Sequence, residues 1–261
     1  MKLAIIGWPI GHSKSPAMQS AALAALGIDG EYTAHAVAPD ELTQFIEHAP
    51  QKGFRGVNVT IPHKEAALKL CAPDELAARV GAVNTLVFDG DKPAGYNTDV
   101  HGFLEMAKEL GAPLDGTVVM LGAGGGARAV AHAIHGHGKL AIVARTVRDF
   151  RVDGVAMTVT PWKDDVLSKL LPRADVLVDA TPRGLDAASP PIDLSPLPAH
   201  AVVLDLVVAR DTALTAAAKA RGLKASAGAP MLVHQGARAL ELWTGKKAPI
   251  DVMRQALDAA L

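Results

Sequence analysis

Along the chain, short and wholly apolar runs alternate with longer stretches in which apolar residues recur every three or four positions. The first kind predicts buried strands, and the second predicts helices that cover them. Leu3 to Ile6 is such a run and ends in the turn Gly7-Trp8-Pro9. A helix from about Ala17 to Leu26, a strand over Tyr32 to Val37, a helix over Asp40 to His48 and a strand over Gly56 to Thr60 follow. This alternation implies parallel βαβ units. Pro62 opens a further helix and Asp74 to Arg79 is a short one, while Gly81 to Phe88 and Pro93 to Asn97 read as a hairpin turning at Asp89-Gly90. A helix follows Thr98-Asp99 to about Leu110, and the turn-rich Gly111 to Gly116 is the best boundary in the chain. Beyond it lie strands at Val118 to Leu121, Leu140 to Ala144, Val155 to Val159, Asp175 to Asp179 and Ala201 to Val208. Two helices, Ala229 to Trp243 and about Pro249 to Ala260, end the chain. The expected fold is α/β with a first domain over 1–99, a second over 100–230, and terminal helices over 231–261 that return to cover the first.

The stretch that organises the second domain is Val118 to Leu121 running into Gly122-Ala123-Gly124-Gly125-Gly126 and then into the helix-forming Ala127 to Ile134. Glycines there let the chain turn sharply and let a pyrophosphate approach the N–H groups at the helix start. The next strand ends about twenty residues on at Arg145-Thr146, where a dinucleotide fold carries its specificity residue. An acid would bond the ribose hydroxyls of NAD, whereas Arg145, with Thr146 and Arg148 beside it, suits a 2′-phosphate. The domain therefore reads as a Rossmann fold for NADP. The competing reading of Arg145 is a solvated arginine at a strand end.

Bulk properties narrow the class. With 261 residues, 49% of them hydrophobic and 20% charged, the composition is that of an ordinary globular protein. A net charge of −1 gives no general attraction to nucleic acid or anionic membranes. The single cysteine, Cys71, excludes an intrachain disulfide and a multi-cysteine metal site, and its apolar surroundings suggest a core thiol. No apolar run reaches the ~20 residues of a spanning helix, and the turn at Trp8-Pro9 comes too early for a signal peptide. A cytoplasmic enzyme, monomeric or homodimeric and without nucleic-acid or membrane partners, is the expectation.

Candidate polar groups gather at strand ends of the first domain. Ser13 and Ser15 follow the first strand, two hydroxyls suited to a carboxylate or a polyol, although Ser15 before Pro16 also reads as a helix N-cap. Lys64 falls in the first turn of the helix opened by Pro62, where a cation is disfavoured by roughly 0.3 to 1 kcal/mol and is inclined to act as a proton donor. The plain alternative is a lysine reaching to solvent, and neighbouring His63 reads as a surface or supporting residue. Asp99 reads either as a helix cap or as a working carboxylate, Asn84 as a turn residue, and Gln235 as a solvated glutamine or one that reaches a cleft.

Taken together, Gly7 to Pro16, Gly56 to Lys64, Gly81 to Val87, Gly95 to Asp99, Gly122 to Arg128 and Gly228 to Gly245 resemble the shikimate dehydrogenase family, in the family's order and across nearly the whole chain. The resemblance implies reversible reduction of 3-dehydroshikimate to shikimate by NADPH, a step of aromatic amino-acid biosynthesis leading to chorismate, with no metal. It implies that Lys64 and Asp99 are the catalytic pair in a substrate-binding first domain. Ser13 and Ser15 would hold the substrate carboxylate, and Thr60, Asn84, Asp99 and Gln235 its other polar groups. Gly122, Ala123, Gly124, Gly125 and Gly126 would hold the pyrophosphate, Arg145 and Thr146 the 2′-phosphate, and Leu206, Gly228 and Met231 would contact the cofactor on the nicotinamide side.

Three departures stand out. The family's tyrosine segment after the Asp-Leu-Val strand is Val208-Ala209-Arg210 here, one residue short, so a substrate contact is missing. The usual Asn-Arg-Thr is Ala144-Arg145-Thr146, and the usual His-Asn after the serines is Gln19-Ser20, a change the sequence does not interpret. A quinate or aminoshikimate dehydrogenase, a folate-linked dehydrogenase, and a non-catalytic NADP-binding sensor are the competing readings. The folate-linked enzymes lack the paired serines, and a sensor has no need of Lys64 and Asp99.

Overall fold

The computed structural model describes residues 1–185 and 192–261. The chain divides into two compact units, Met1–Gly102 with Leu232–Leu261, and Phe103–Met231. In the first unit, β1 (Lys2–Gly7), α1 (Ser15–Ala25), β2 (Glu31–Ala36), α2 (Leu42–His48) and β3 (Phe54–Val59) form parallel βαβ units. The short α3 (Lys64–Ala67), β4 (Ala72–Pro73), α4 (Glu75–Val80), β5 (Thr85–Val87), β6 (Ala94–Tyr96) and the start of α5 (Asp99–Leu110) complete that part of the chain. The sheet order is β2-β1-β3-β5-β6-β4, with β5 antiparallel to both β3 and β6. This topology matters for the chemistry. The carboxyl ends of β1, β3 and β6 and the amino end of β5 all lie at one edge, so the loops carrying Ser13, Thr60, Asn84 and Asp99 leave from the same side.

The first core gathers Ala4, Ile6, Val57, Val59, Leu86 and Phe54 from the strands with Leu42 and Ile46 from α2. Cys71 is buried in it, and burial pushes its thiol up to about 11, as a core thiol requires. Local signals place the helices. Asp74 caps α4 by accepting from Ala77 N at 2.7 Å, and Gly81 closes that helix in the left-handed region. Of the terminal helices, α9 (Ala229–Thr244) enters this unit from Leu232 onward, and its Trp243 indole donates to Leu86 O on β5 at 3.0 Å. The last helix, α10 (Ile250–Ala260), packs along α1.

The second unit is built on β7 (Thr117–Leu121), α6 (Gly125–Ile134), β8 (Lys139–Ala144), β9 (Arg151–Val152), β10 (Val155–Ala156), β11 (Val159–Pro161), α7 (Asp164–Leu170), β12 (Val176–Asp179), β13 (Val202–Asp205), α8 (Ala213–Ala220) and β14 (Lys224–Ser226). Six of these strands form a wholly parallel sheet in the order β11-β8-β7-β12-β13-β14. Numbered within the unit, that is 3-2-1-4-5-6, the doubly wound order in which the direction of winding reverses beside the first strand. Thr212 and Thr215 form a reciprocal capping box at the start of α8. No helix among the described residues is long and apolar enough to cross a membrane.

Several sequence expectations need correction. Ser15 is the first residue of α1 rather than its N-cap; Lys14 occupies the cap, and Ser13 Oγ accepts from Ser15 N at 3.3 Å. Val155 and Ala156 pair with β9 in a separate two-stranded hairpin, so only Val159 to Pro161 joins the large sheet. The last apolar run, Ala201 to Val208, yields a strand of four residues, and the sheet instead gains β14, whose Lys-Ala-Ser sequence carries no hydrophobic signal. The hairpin at Asp89-Gly90 has a longer loop than a two-residue turn, because pairing begins only at Val87 and Ala94.

Candidate active site

The edge of the first unit holds a buried ion pair. Lys64, at the start of α3, places its Nζ 2.7 Å from Oδ2 of Asp99, at the start of α5, with side-chain exposures of 14% and 5%. At that depth water screens the pair little, so the interaction is a charge-assisted hydrogen bond rather than a surface contact. The α3 helix is only four residues long, and what holds the lysine is the carboxylate it faces.

Asn84 completes the arrangement. Its Oδ1 accepts from Thr98 N at 2.7 Å, a backbone donor that fixes which way the amide points. Its Nδ2 therefore faces Asp99 Oδ1 at 2.9 Å, and also Thr98 Oγ1 at 2.9 Å and Gln235 Oε1 at 3.3 Å. One Asp99 oxygen is thus held by an amide and the other by an ammonium. Gln235 is buried rather than solvated, and its Nε2 donates to Leu232 O within α9.

Thr60 lies at the same edge. Its N–H donates to Ile6 O at 2.9 Å, and Trp8 N donates to Ile61 O at 3.0 Å, so the loops after β1 and β3 run side by side. Ser13, at the end of the first loop, is half-buried, and Ser15 is buried. His63 is buried too, with Nε2 at 2.7 Å from Val37 O, which anchors the segment just before Lys64 and removes it from the surface. A cavity of 510 Å³ bounded by β2 and α2 and lined by His35, Glu41, Phe45 and His48 includes none of these residues.

Sequence reasoning did not single out Tyr32, Asn58, Thr85 and Thr98, all of them buried beside this cluster. Tyr32 O–H donates to Asn58 Oδ1 at 2.7 Å, and Asn58 Nδ2 donates to Thr85 Oγ1 at 3.0 Å and to Asn84 O at 3.2 Å. The available signal was an asparagine inside the apolar strand Phe54–Val59, where a buried polar side chain needs partners.

In the second unit, the candidate cofactor residues gather at the carboxyl edge of the parallel sheet. Gly122 follows β7 with φ of +101°, and its N–H donates to Val143 O at 2.8 Å, beside the end of β8. That backbone conformation requires glycine. Gly124 precedes α6 with no side-chain cap, and a Cβ there would meet nothing within 4 Å. The start of a ten-residue helix is therefore open and uncapped, as a pyrophosphate needs. Leu206 Cδ1 lies 3.7 Å from the Cβ position of Gly126, and Leu206 O presses against that of Gly228. Any side chain at 228 would collide with this carbonyl, so the three residues form one surface. Ala123 is buried in the turn, Met231 is buried in the first turn of α9, and Arg145 and Thr146 are exposed just past β8. The donor set and the open helix start fit a dinucleotide, and Arg145 makes no ion pair among the described residues.

With this geometry established, the comparisons with known proteins are specific. Residues 5–86 match the shikimate dehydrogenase substrate binding domain, and residues 228–257 match the shikimate 5′-dehydrogenase C-terminal domain. A shikimate dehydrogenase (NADP(+)) from Nitrobacter hamburgensis is 43% identical over 97% of this chain and 92% of its own. The chain belongs to the shikimate dehydrogenase family. Among solved structures, family member shikimate 5-dehydrogenase from Thermus thermophilus, in complex with NADP(H) and shikimate, superposes with a TM-score of 0.87 at 38% identity, covering 100% of both chains. Quinate dehydrogenase from Corynebacterium glutamicum in complex with NAD matches with a TM-score of 0.85 at 31% identity, covering 99% of both.

Proposed function

We propose that this chain is an NADP-dependent oxidoreductase that interconverts shikimate and 3-dehydroshikimate, with Lys64 as the acid–base group and Asp99 as its partner. The observation that carries the reading is the buried Lys64–Asp99 pair at 2.7 Å, locked by Asn84 at the strand-end edge of the first unit. Support comes from the family membership and from the open glycine turn of the second unit. Bound NADPH supplies the hydride, and NADP accepts it in the reverse direction.

The proton is the chain's responsibility. As a ketone is reduced, negative charge builds on its oxygen, and the Lys64 ammonium offers that oxygen both a cation and a proton. Asp99 keeps the ammonium aimed, and in the oxidative direction Lys64 takes the hydroxyl proton instead. Ser13 and Ser15 would hold the carboxylate, with Thr60, Asn84 and Gln235 contacting the hydroxyls. Gly122 to Gly126 would hold the pyrophosphate, Arg145 and Thr146 the 2′-phosphate, and Leu206, Gly228 and Met231 the nicotinamide side.

Quinate is a second reading with an observation behind it. Val208-Ala209-Arg210 occupies the loop between β13 and α8, directly after the Leu206 and Val207 carbonyls that flank Gly228, and it lacks the family's tyrosine. For the main reading, Lys64→Ala is expected to lower kcat for shikimate oxidation by about 10²- to 10⁴-fold in a chain that still folds and keeps NADP affinity near that of the wild type, with a lowered unfolding midpoint because Asp99 loses its buried counter-ion. A variant that keeps wild-type kcat would remove Lys64 from the chemistry.

A further inference from the structure

The buried polar residues behind the ion pair form a single line. Asn84 O is a backbone carbonyl and can only accept, so Asn58 must turn its Nδ2 toward it, at 3.2 Å, and toward Thr85 Oγ1 at 3.0 Å. Asn58 Oδ1 then faces Tyr32, whose only hydroxyl hydrogen goes to it at 2.7 Å. Thr85 passes its own hydrogen to Asn84 Oδ1 at 3.2 Å, and Asn84 Nδ2 donates to Asp99 Oδ1 at 2.9 Å. Every donor points the same way along the line. Tyr32, Asn58, Thr85, Asn84 and Asp99 are each no more than 4% exposed, so water does not substitute for a missing member.

We infer that Tyr32 is a positioning residue, which acts through Asn58, Thr85 and Asn84 to hold Asp99 on Lys64. The inference rests on the proposed roles of Lys64 and Asp99. Burial keeps the Tyr32 phenol protonated by pushing it well above its usual range, with the nearby Ser15 side chain pulling it back in part. It is therefore a fixed donor rather than a titrating acid. Its ring packs near Trp243 with centroids 6.2 Å apart, a contact that a phenylalanine would keep.

The test is Tyr32→Phe in the full chain, with kinetics read well below the unfolding transition. Loss of one buried donor from the line is expected to lower kcat for shikimate oxidation about tenfold with KM for NADP unchanged. In an Asn84→Ala background the same substitution is expected to add little further loss, because Tyr32 acts through Asn84. A second readout needs no turnover. Trace acetic anhydride labelling of the apo chain, followed by mass spectrometry of the Lys64 peptide, is expected to be severalfold faster in Tyr32→Phe, since the ammonium is held less firmly. Thr85→Val breaks the line at another link and is expected to give the same pair of changes, which also covers a Tyr32→Phe chain that fails to fold. An unchanged labelling rate, or a kcat loss fully additive with Asn84→Ala, overturns the inference. If the wild-type chain turns over no shikimate, the substrate reading falls, and the labelling comparison alone decides the role of Tyr32.

Discussion

Asp99→Asn isolates the charge of the candidate site with almost no change of shape. In the native chain Asp99 Oδ1 accepts from Asn84 Nδ2 at 2.9 Å and Oδ2 accepts from Lys64 Nζ at 2.7 Å. An asparagine has only one oxygen to offer, so either orientation points an NH₂ group at another donor. If it keeps the Asn84 bond, Lys64 loses both its hydrogen bond and its counter-ion. If it keeps the Lys64 bond, the Asn84 amide faces a donor while Thr98 N still holds its Oδ1 at 2.7 Å. A hydrogen bond to a charged group contributes about 1.5 to 3 kcal/mol, and the Asp99 side chain, 5% exposed, gains nothing back from solvent. At about 1.4 kcal/mol per tenfold in rate, kcat should fall roughly 10- to 150-fold. The assay is initial-rate oxidation of shikimate with NADP, followed by absorbance of the reduced cofactor, alongside circular dichroism to confirm the fold. A folded Asp99→Asn chain with kcat within twofold of wild type would refute the argument that Asp99 orients Lys64.

Two other predictions concern the second unit. Arg145→Ala should raise KM for NADP about 10- to 100-fold while leaving KM for NAD unchanged, because only the 2′-phosphate uses the guanidinium; an equal rise for both cofactors would count against the assignment. Asp179, at the end of β12, is raised from 3.8 to about 6 by burial, with two hydrogen bonds from Thr181 pulling it back and the charge of Asp205 on β13 adding to the rise. The folded chain therefore holds this proton more tightly than the unfolded one. The stability it contributes is complete below about pH 4 and is lost as the pH climbs through about 6. Asp179→Asn keeps an oxygen for Thr181, so it should stabilise the chain by up to about 3 kcal/mol near pH 8 and by almost nothing near pH 4. Unfolding midpoints that differ equally at both pH values would contradict this.

The sequence carried the parallel architecture well, because buried parallel strands are continuous apolar runs and the glycine turn announces its helix. It carried β14 poorly: Lys224–Ser226 is an edge strand defined by pairing to β13, and pairing leaves no mark on three mostly polar residues. The β9–β10 hairpin failed for a similar reason, since Val155 is apolar yet exposed. At the site, Lys64, Asp99 and Asn84 were legible as polar residues at strand ends, whereas Tyr32 and Asn58 lie inside strands and look like packing until their partners are seen. Gln19 shows the same limit. Its sequence change had no interpretation, but in the structure it is buried in α1 and donates from Nε2 to Gly236 O at 2.9 Å, tying α1 to α9 one residue from Gln235. A contact that spans 217 positions in the chain cannot be read from local pattern.

The missing tyrosine makes substrate choice the sharpest question for the whole account. Initial rates of oxidation of shikimate and of quinate, each with NADP and with NAD, answer it in one set of assays. Efficient turnover of shikimate with NADP, much weaker turnover with NAD, and little oxidation of quinate are expected. Tight NADP binding with negligible turnover of shikimate would contradict this and assign the Val208-Ala209-Arg210 loop to a different substrate.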